Sequence, residues 1–143
     1  ENLLRAKVGK KTSSDDAKSN TVFEALILNE RAYLRTELDG NLAVAIEEAS
    51  RSVALDVNSY NLDTLGWVQF KSGQFEEAIE NLGRSLQTPE SAASGTTYYH
   101  LGAAYQESGD LEKARFYFKE ALRRDLLWWE FLDLQKRCPD CGM

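Results

Sequence analysis

The sequence offers little that could crosslink the chain or anchor it in a membrane. Its 143 residues include two cysteines, both close to the end, which form no disulfide framework and leave the cellular compartment open. No run of 18 apolar residues occurs, and no signal peptide opens the chain. We therefore expect a soluble protein of the cytoplasm or the periplasm, without insertion into a membrane. The first residue, Glu1, indicates a processed form or an excised segment.

Positive charge is scarce as well. Lysine and arginine together number 17 against 23 aspartates and glutamates, which gives a net charge of −6. Nucleic acids and anionic membranes select clustered lysine and arginine, so this balance disfavours both as partners. Residues 1–20 lean towards basic character, and we expect them to be a solvated tail or loop.

Residues that carry catalysis do not occur in any recognisable arrangement. The single histidine, His100, has no nucleophile or second base at a recognisable spacing, so a catalytic triad has no support. We expect it to be a half-exposed helical residue. The string "VGKKTS" lacks the first glycine and the hydroxyl position of a phosphate-binding loop. We therefore predict no enzyme, no cofactor and no small-molecule substrate.

An internal repeat is what the sequence does contain. Residues 62–86 match a later stretch after a shift of 36 residues, and their second half matches an earlier one after a shift of 33. The later matches include Leu65-Gly66 with Leu101-Gly102, Gly73 with Gly109, Ala78 with Ala114, and Leu82 with Phe118. The earlier matches include Gly73 with Gly40, and Ala78-Ile79-Glu80 with Ala45-Ile46-Glu47. This recurrence predicts a stack of similar units.

Each unit has the pattern of two helices joined by a glycine turn. Apolar and small residues recur at spacings of three and four on both sides of Gly73, as one face of an α-helix requires. Gly73 stands where a left-handed residue would end the first helix. The turn leaves about two or three residues, so the two helices must lie antiparallel. Gly66 and Ala78 are predicted to lie where the two backbones approach each other.

The pattern resembles the tetratricopeptide repeat, with about 34 residues per unit and a Leu-Gly pair before the turn. Unit three fits best, through Tyr98, Leu101, Gly102, Tyr105, Gly109, Ala114, Phe118 and Ala121. Unit two has Gln69 in place of a tyrosine, unit one lacks the Leu-Gly pair, and the closing proline is absent from all three. The string "DTLGW" is similar to bacterial members of the family. The resemblance implies an all-α fold, an α-solenoid of antiparallel helix pairs.

The resemblance also divides the chain into segments. Three repeat units are expected at about residues 21–57, 58–93 and 94–125, with the first helix of unit one from Thr21 to Glu37. Residues 1–20 are interpreted as the remnant of a preceding helix plus a polar loop. Residues 126–137 predict a capping helix, and the alternative is a surface for a partner or for a further repeat. The face expected to cover unit three consists of Leu127, Trp128, Phe131, Leu132 and Gln135.

The last segment, residues 138–143, has the sequence "CPDCGM" and resembles one knuckle of a zinc ribbon. Two thiolates on a tight turn can hold a metal ion, but tetrahedral zinc needs four ligands, so Cys138 and Cys141 are only half a site. Three interpretations stay open: a truncated ribbon, a site shared between two chains, or no metal, with free thiols or a local disulfide. We assign no metal site.

Members of the family use the first helices of their units to line a concave groove for a peptide or a helix of another protein. The matching positions here are Asp63, Trp67, Phe70 and Lys71 in unit two, and Tyr99, Ala103, Gln106 and Glu107 in unit three. Trp67 and Phe70 are three residues apart on a helix and so project together. They are either anchors for a partner or core residues between neighbouring helices. The expected partner is apolar or aromatic, and a basic residue in it would face Asp63 or Glu107.

The predicted function is a non-catalytic scaffold for protein–protein interaction, with a peptide or helix in the groove. The alternative is a spacer segment that stabilises a larger assembly protein, with a partial zinc knuckle at its end. One subclass of the family grips the C-terminal carboxylates of heat-shock chaperones through an asparagine directly after the Leu-Gly pair. Trp67 and Ala103 hold that place here, so the sequence disfavours this clamp.

Overall fold

The predicted all-helical fold is confirmed. The computed structural model describes residues 13–88 and 94–142. Its α-helices are α1 (Ser13–Leu34), α2 (Leu42–Leu55), α3 (Ser59–Lys71), α4 (Phe75–Leu86), α5 (Gly95–Ser108), α6 (Leu111–Leu122) and α7 (Trp128–Arg137). α1 packs with α2, α3 with α4 and α5 with α6, and the three antiparallel pairs stack into an α-solenoid that ends with α7. Within the described residues, no helix combines the length and the apolar character that crossing a membrane requires.

Polar side chains begin most of these helices. The capping residues are Asn41 for α2, Asn58 for α3, Ser94 for α5 and Asp110 for α6. In α3, for example, Asn58 Oδ1 accepts a hydrogen bond from the backbone N–H of Asn61 at 2.9 Å. The first N–H groups of a helix have no partner within it, so these caps fix where each helix starts.

A glycine with left-handed backbone follows the first helix of each pair. The φ angles of Gly40, Gly73 and Gly109 are 66°, 79° and 94°. Side chains with a Cβ atom avoid this region, so glycine ends the helix at little cost. The connections of the second and third pairs are three and two residues long, which turns the chain back on itself. The predicted role of Gly73 is confirmed.

In the second and third pairs, the two helices pack closely at the glycine of the Leu-Gly pair. A Cβ atom on Gly66 would lie 2.6 Å from Leu82 Cγ and 3.2 Å from the carbonyl oxygen of Ala78. A Cβ atom on Gly102 would lie 2.4 Å from Phe118 Cδ1. The prediction that Gly66 and Ala78 lie at the helix contact is therefore confirmed, and a large residue on the second helix fills the space that glycine leaves.

The Gly66→Leu variant is expected to lose about 1–3 kcal/mol or more of stability, because overpacking must displace Leu82 or separate α3 from α4. Gly83 provides a matched control, since it lies within α4 and a Cβ atom there would meet nothing within 4 Å. The Gly83→Leu variant is expected to gain about 0.5–1 kcal/mol from helix propensity. Urea denaturation compares the two, and a Gly66→Leu variant as stable as the parent would contradict the assigned contact.

The start of the first pair differs from the prediction. A polar loop is predicted up to residue 20, but α1 begins at Ser13, so the prediction is wrong for residues 13–20. Asp15 and Asp16 lie in the first turn of α1, where carboxylates stabilise a helix N-terminus. The predicted remnant of a preceding helix falls within residues 1–12, which lie outside the described residues. At its other end α1 continues into a π-helical turn, Arg35–Asp39.

The capping helix is present, but it packs through another face than predicted. Its buried residues are Glu130 and Leu134. The residues of the predicted face, Leu127, Trp128, Phe131, Leu132 and Gln135, are all exposed. Polar pairs set this orientation, for example the hydrogen bond at 3.0 Å from Thr96 Oγ1 to Glu130 Oε2. An apolar pattern cannot reveal such pairs. Because α7 packs through Glu130 and Leu134, its apolar face stays exposed.

Candidate functional site

A groove with a volume of about 750 Å³ crosses the first helices of all three pairs and the start of α7. α1 contributes Asn29, Glu30 and Tyr33, among others. The N-terminal halves of α3 and α5 contribute polar residues, and the start of α7 contributes Trp129 and Glu130. The groove therefore depends on the stacking of all three pairs and α7.

Asp63 is the predicted partner-binding residue that lines this groove. Its carboxylate oxygens lie 3.1 and 3.0 Å from Nδ1 of His100. His100 is 4% exposed, so the expectation of a half-exposed histidine is wrong. Its ring stacks on Trp67 with the ring centroids 4.0 Å apart. The imidazole is thus fixed between a carboxylate and an indole, and no described hydroxyl or thiol group is hydrogen-bonded to it.

Trp67 and Phe70 are core residues of the structure. They are 6% and 7% exposed, and their rings stack with centroids 4.9 Å apart. Trp67 Nε1 donates a hydrogen bond at 2.8 Å to Glu37 Oε1 in the π-helical turn. Lys71 lies beside them, with its Nζ 4.8 Å from the centroid of the Trp67 ring. Of the two interpretations of Trp67 and Phe70, their burial favours packing between first helices over anchoring a partner.

The predicted binding residues of unit three face α7 instead of an open groove. The Tyr99 hydroxyl donates to Asp133, whose carboxylate also accepts from Arg137 Nε at 2.7 Å. Gln106 Nε2 donates to the carbonyl oxygen of Arg137 at 2.8 Å, and Glu107 Oε1 lies 3.3 Å from Arg137 Nη1. The basic residue that faces Glu107 thus belongs to this chain. α7 thus occupies the polar groups of Tyr99 and Gln106, whereas the side chain of Glu107 stays exposed.

The contact between Tyr99 and Asp133 is stable at neutral pH. Burial raises the pKa of Tyr99, and the hydrogen bond to Asp133 raises it further, so the hydroxyl keeps its proton. Burial also raises the pKa of Asp133, but hydrogen bonds from Tyr99 and Arg137 outweigh it and leave this pKa below its usual 3.8. A carboxyl group with a lowered pKa stabilises the fold at pH values above its usual pKa. This contribution is lost as the pH falls from the usual pKa through the lowered one.

Comparison with known families agrees with this architecture. Residues 95–126 match the family model of the tetratricopeptide repeat. This chain therefore contains a tetratricopeptide repeat at residues 95–126. The matched residues hold α5 and α6, the unit in which the Leu-Gly pattern is most complete.

The fold of this repeat protein is similar to a solved structure, the second tetratricopeptide-repeat domain of Spaghetti (RPAP3) bound to the HSP90 peptide SRMEEVD. The two have a TM-score of 0.67 and 22% sequence identity, over 77% of this chain and 99% of that chain. This likeness establishes the fold. No curated protein sequence matches the chain. The similarity to bacterial members stays a prediction.

Most groove residues of the repeat protein are not among the binding residues predicted from the sequence. Asn29, Glu30 and Tyr33 belong to α1, which lacks the Leu-Gly pair, so no groove position can be transferred to it from the family pattern. Trp129 and Glu130 belong to α7, which is predicted to be a capping helix, with a surface for a partner or for a further repeat as the alternative. An aromatic residue next to an acidic residue at the start of α7 is the sequence feature that indicates a binding surface there.

The two cysteines of the repeat protein are bonded to each other. Cys138 and Cys141 form a disulfide and pack against the core next to α6. Among the interpretations left open for "CPDCGM", the structure shows the local disulfide. Asp140 lies between them in sequence and forms an ion pair at 2.6 Å with Arg115 of α6. The two sulfur atoms and a carboxylate oxygen of Asp140 lie within 4.8 Å of one another and could in principle hold a metal ion. Both sulfur atoms are bonded in the disulfide.

Proposed function

We propose that this protein is a non-catalytic scaffold that binds a peptide or a helix of a partner protein in the groove. The observation that carries the proposal is the groove of about 750 Å³, to which α1, α3, α5 and α7 all contribute. A cleft of this size can enclose several side chains of a peptide. The Spaghetti domain, which has a similar fold, is bound to a peptide, and this supports the same use here.

The proposed anchoring surface lies at the start of α7 and on α3, not at Trp67. Trp129 and Tyr60 line the groove and are 47% and 70% exposed. Leu26 of α1 and Leu127 add apolar surface to the groove. Partly exposed aromatic rings beside apolar side chains are typical of surfaces that anchor a partner. We therefore propose a partner segment with apolar or aromatic residues.

The Trp129→Ala variant is expected to weaken peptide binding by about 2 kcal/mol, the usual size of a loss at an anchoring residue. Trp128→Ala is the matched control, because Trp128 is adjacent, 70% exposed and not part of the groove lining. Peptides are first selected on the intact protein from a random 12-residue display library, and fluorescence polarisation then compares the affinities of the variants. Equal losses for both tryptophans, or no selected peptide, would contradict the proposal.

A second candidate function, a spacer segment of a larger assembly protein, is favoured by the two ends of the solenoid. Phe23 and Ile27 of α1 are 62% and 42% exposed, and Trp128 and Leu132 of α7 are 70% and 47% exposed. Neighbouring repeats normally cover such end faces. In this case Trp128→Ala, not Trp129→Ala, should weaken the association with the neighbouring domain.

A further inference from the structure

The groove is acidic, and among the described residues His100 is the only lining residue that can become a cation. Glu30, Asp56, Asp63 and Glu130 line it, whereas none of the described lysines and arginines does. In the described parts of the chain, none of these four carboxylates forms an ion pair with a lysine or an arginine, and Asp63 pairs with His100. Carboxylates grouped around a cleft concentrate positive charge within it. The lining therefore favours a cationic group over an anionic one.

The helix N-termini beside the groove do not reverse this preference. A helix N-terminus attracts anions through N–H groups that lack a partner. Asn58 and Ser94 already accept hydrogen bonds from the N-terminal N–H groups of α3 and α5. At α7, Glu130 accepts from the backbone N–H of Leu127 at 3.1 Å. One N–H donor at each of these ends is therefore occupied, and the carboxylates of the groove remain its dominant charges.

One acceptor in the groove has no donor among the described residues. Asn29 is 5% exposed, and its Oδ1 has no hydrogen-bond partner in the structure. Its Nδ2 makes one long contact, 3.5 Å to Glu30 Oε1. Buried polar atoms are almost always hydrogen-bonded, so an acceptor left alone in a groove wall is available to a donor that enters the groove. The single long contact lets the amide turn towards such a donor.

Aromatic rings lie next to these acceptors. Tyr33 of α1 and Trp129 of α7 both line the groove. Burial raises the pKa of Tyr33, and the charges of Glu37, Glu130 and Asp63 raise it further. The carboxylates of α3 and α7 thus act on a side chain of α1 across the groove. A planar cation can stack on such rings while it donates hydrogen bonds.

We infer that the groove takes up an arginine side chain of the bound peptide, with its guanidinium group among Asn29, Glu30, Asp63 and Glu130. The inference rests on the proposed function and names the partner chemistry of that site. Arginine fits better than lysine, because its planar group presents five N–H donors to several acceptors at once and stacks on aromatic rings. An acidic peptide would instead meet these carboxylates, and no described lysine or arginine in the lining would pair with it.

The direct test uses a small probe, N-acetyl-arginine methylamide, with the uncharged analogue N-acetyl-citrulline methylamide as its control. Each is titrated into the full chain and followed by NMR of the backbone and side-chain amides. The arginine probe is expected to shift the side-chain amide of Asn29 and to bind about tenfold more tightly than citrulline, an affinity ratio that added salt reduces. Equal binding of both probes, or shifts confined to residues outside the groove, would overturn the inference.

Two variants locate the site. Glu30→Gln is expected to weaken binding of the arginine probe about threefold, whereas Glu77→Gln, the same change on an exposed residue of α4, should leave it unchanged. Asn29→Leu should abolish the tenfold preference for arginine over citrulline and keep the chain folded, because leucine needs no hydrogen bond. If Glu77→Gln weakens binding as much as Glu30→Gln, the probe senses net charge only and the assigned site is wrong.

Two experimental outcomes distinguish a wrong arginine site from a wrong scaffold function. Peptides that bind through Trp129 but keep their affinity when arginine is replaced by citrulline would overturn the arginine site and leave the scaffold in place. An arginine probe that binds at Asn29, in a protein that selects no peptide, would support the site and contradict the scaffold.

Discussion

Truncation of the chain after Asp125 is expected to lower the free energy of unfolding by about 4 kcal/mol or more. α7 buries Leu134 completely, and losing such a side chain costs about 1.5–3 kcal/mol. The truncation also removes the hydrogen-bond partners of Thr96, Tyr99 and Gln106, at about 1 kcal/mol or more for each buried group. The truncated chain should therefore melt at a much lower temperature or aggregate.

Thermal melts and size-exclusion chromatography of the truncated and the full chain measure this effect. The Leu132→Ser variant serves as a control, because Leu132 is 47% exposed on the outer side of α7 and should change stability by less than about 0.5 kcal/mol. A truncated chain that stays monomeric and melts with the parent would show that α7 is a surface for a partner and not a cap.

Trp67→Ala is expected to cost about 3–5 kcal/mol of folding stability, as large-to-small changes of buried aromatic residues do. The ring touches Phe70 and His100, and its Nε1 donates to Glu37, so one substitution loosens α1, α3 and α5 together. Because the Trp67 ring is buried, we expect the substitution to lower folding stability and not to remove a direct contact with a partner.

Urea denaturation of Trp67→Ala distinguishes a core residue from an anchor for a partner. Trp128→Ala is the control for an exposed tryptophan. Trp128→Ala should stay within about 0.5 kcal/mol of the parent. A Trp67→Ala variant that keeps its stability and loses its partner would restore the anchor interpretation.

The repeat itself could be predicted because it rests on local rules. Gly66 and Gly102 recur with the same neighbours, and only a close helix contact explains glycine inside a helix. Gly73 ends a helix by its backbone preference, which does not depend on the rest of the fold. Helix pairs, turn lengths and their antiparallel arrangement follow from such local signals.

The groove could not be predicted in the same way, because its position depends on contacts between distant segments. Asp63 follows the family pattern, but Tyr99 and Gln106 do so too, and they are occupied by α7. Only the polar pairs of α7 decide which face it presents, and those pairs join residues more than thirty positions apart, such as Thr96 and Glu130. Helical periodicity carries no information on such pairs.

Reagents that modify primary amines should spare the described side chains that line the groove. The described lysines are Lys18, Lys71, Lys113, Lys119 and Lys136, and none of them lines it. Cross-linking through the described lysines would therefore start outside the groove lining, and immobilisation through them would leave the described lining side chains unmodified. Carbodiimide activation acts on carboxylates such as Glu30 and should join that residue to an amine of the partner or block its entry.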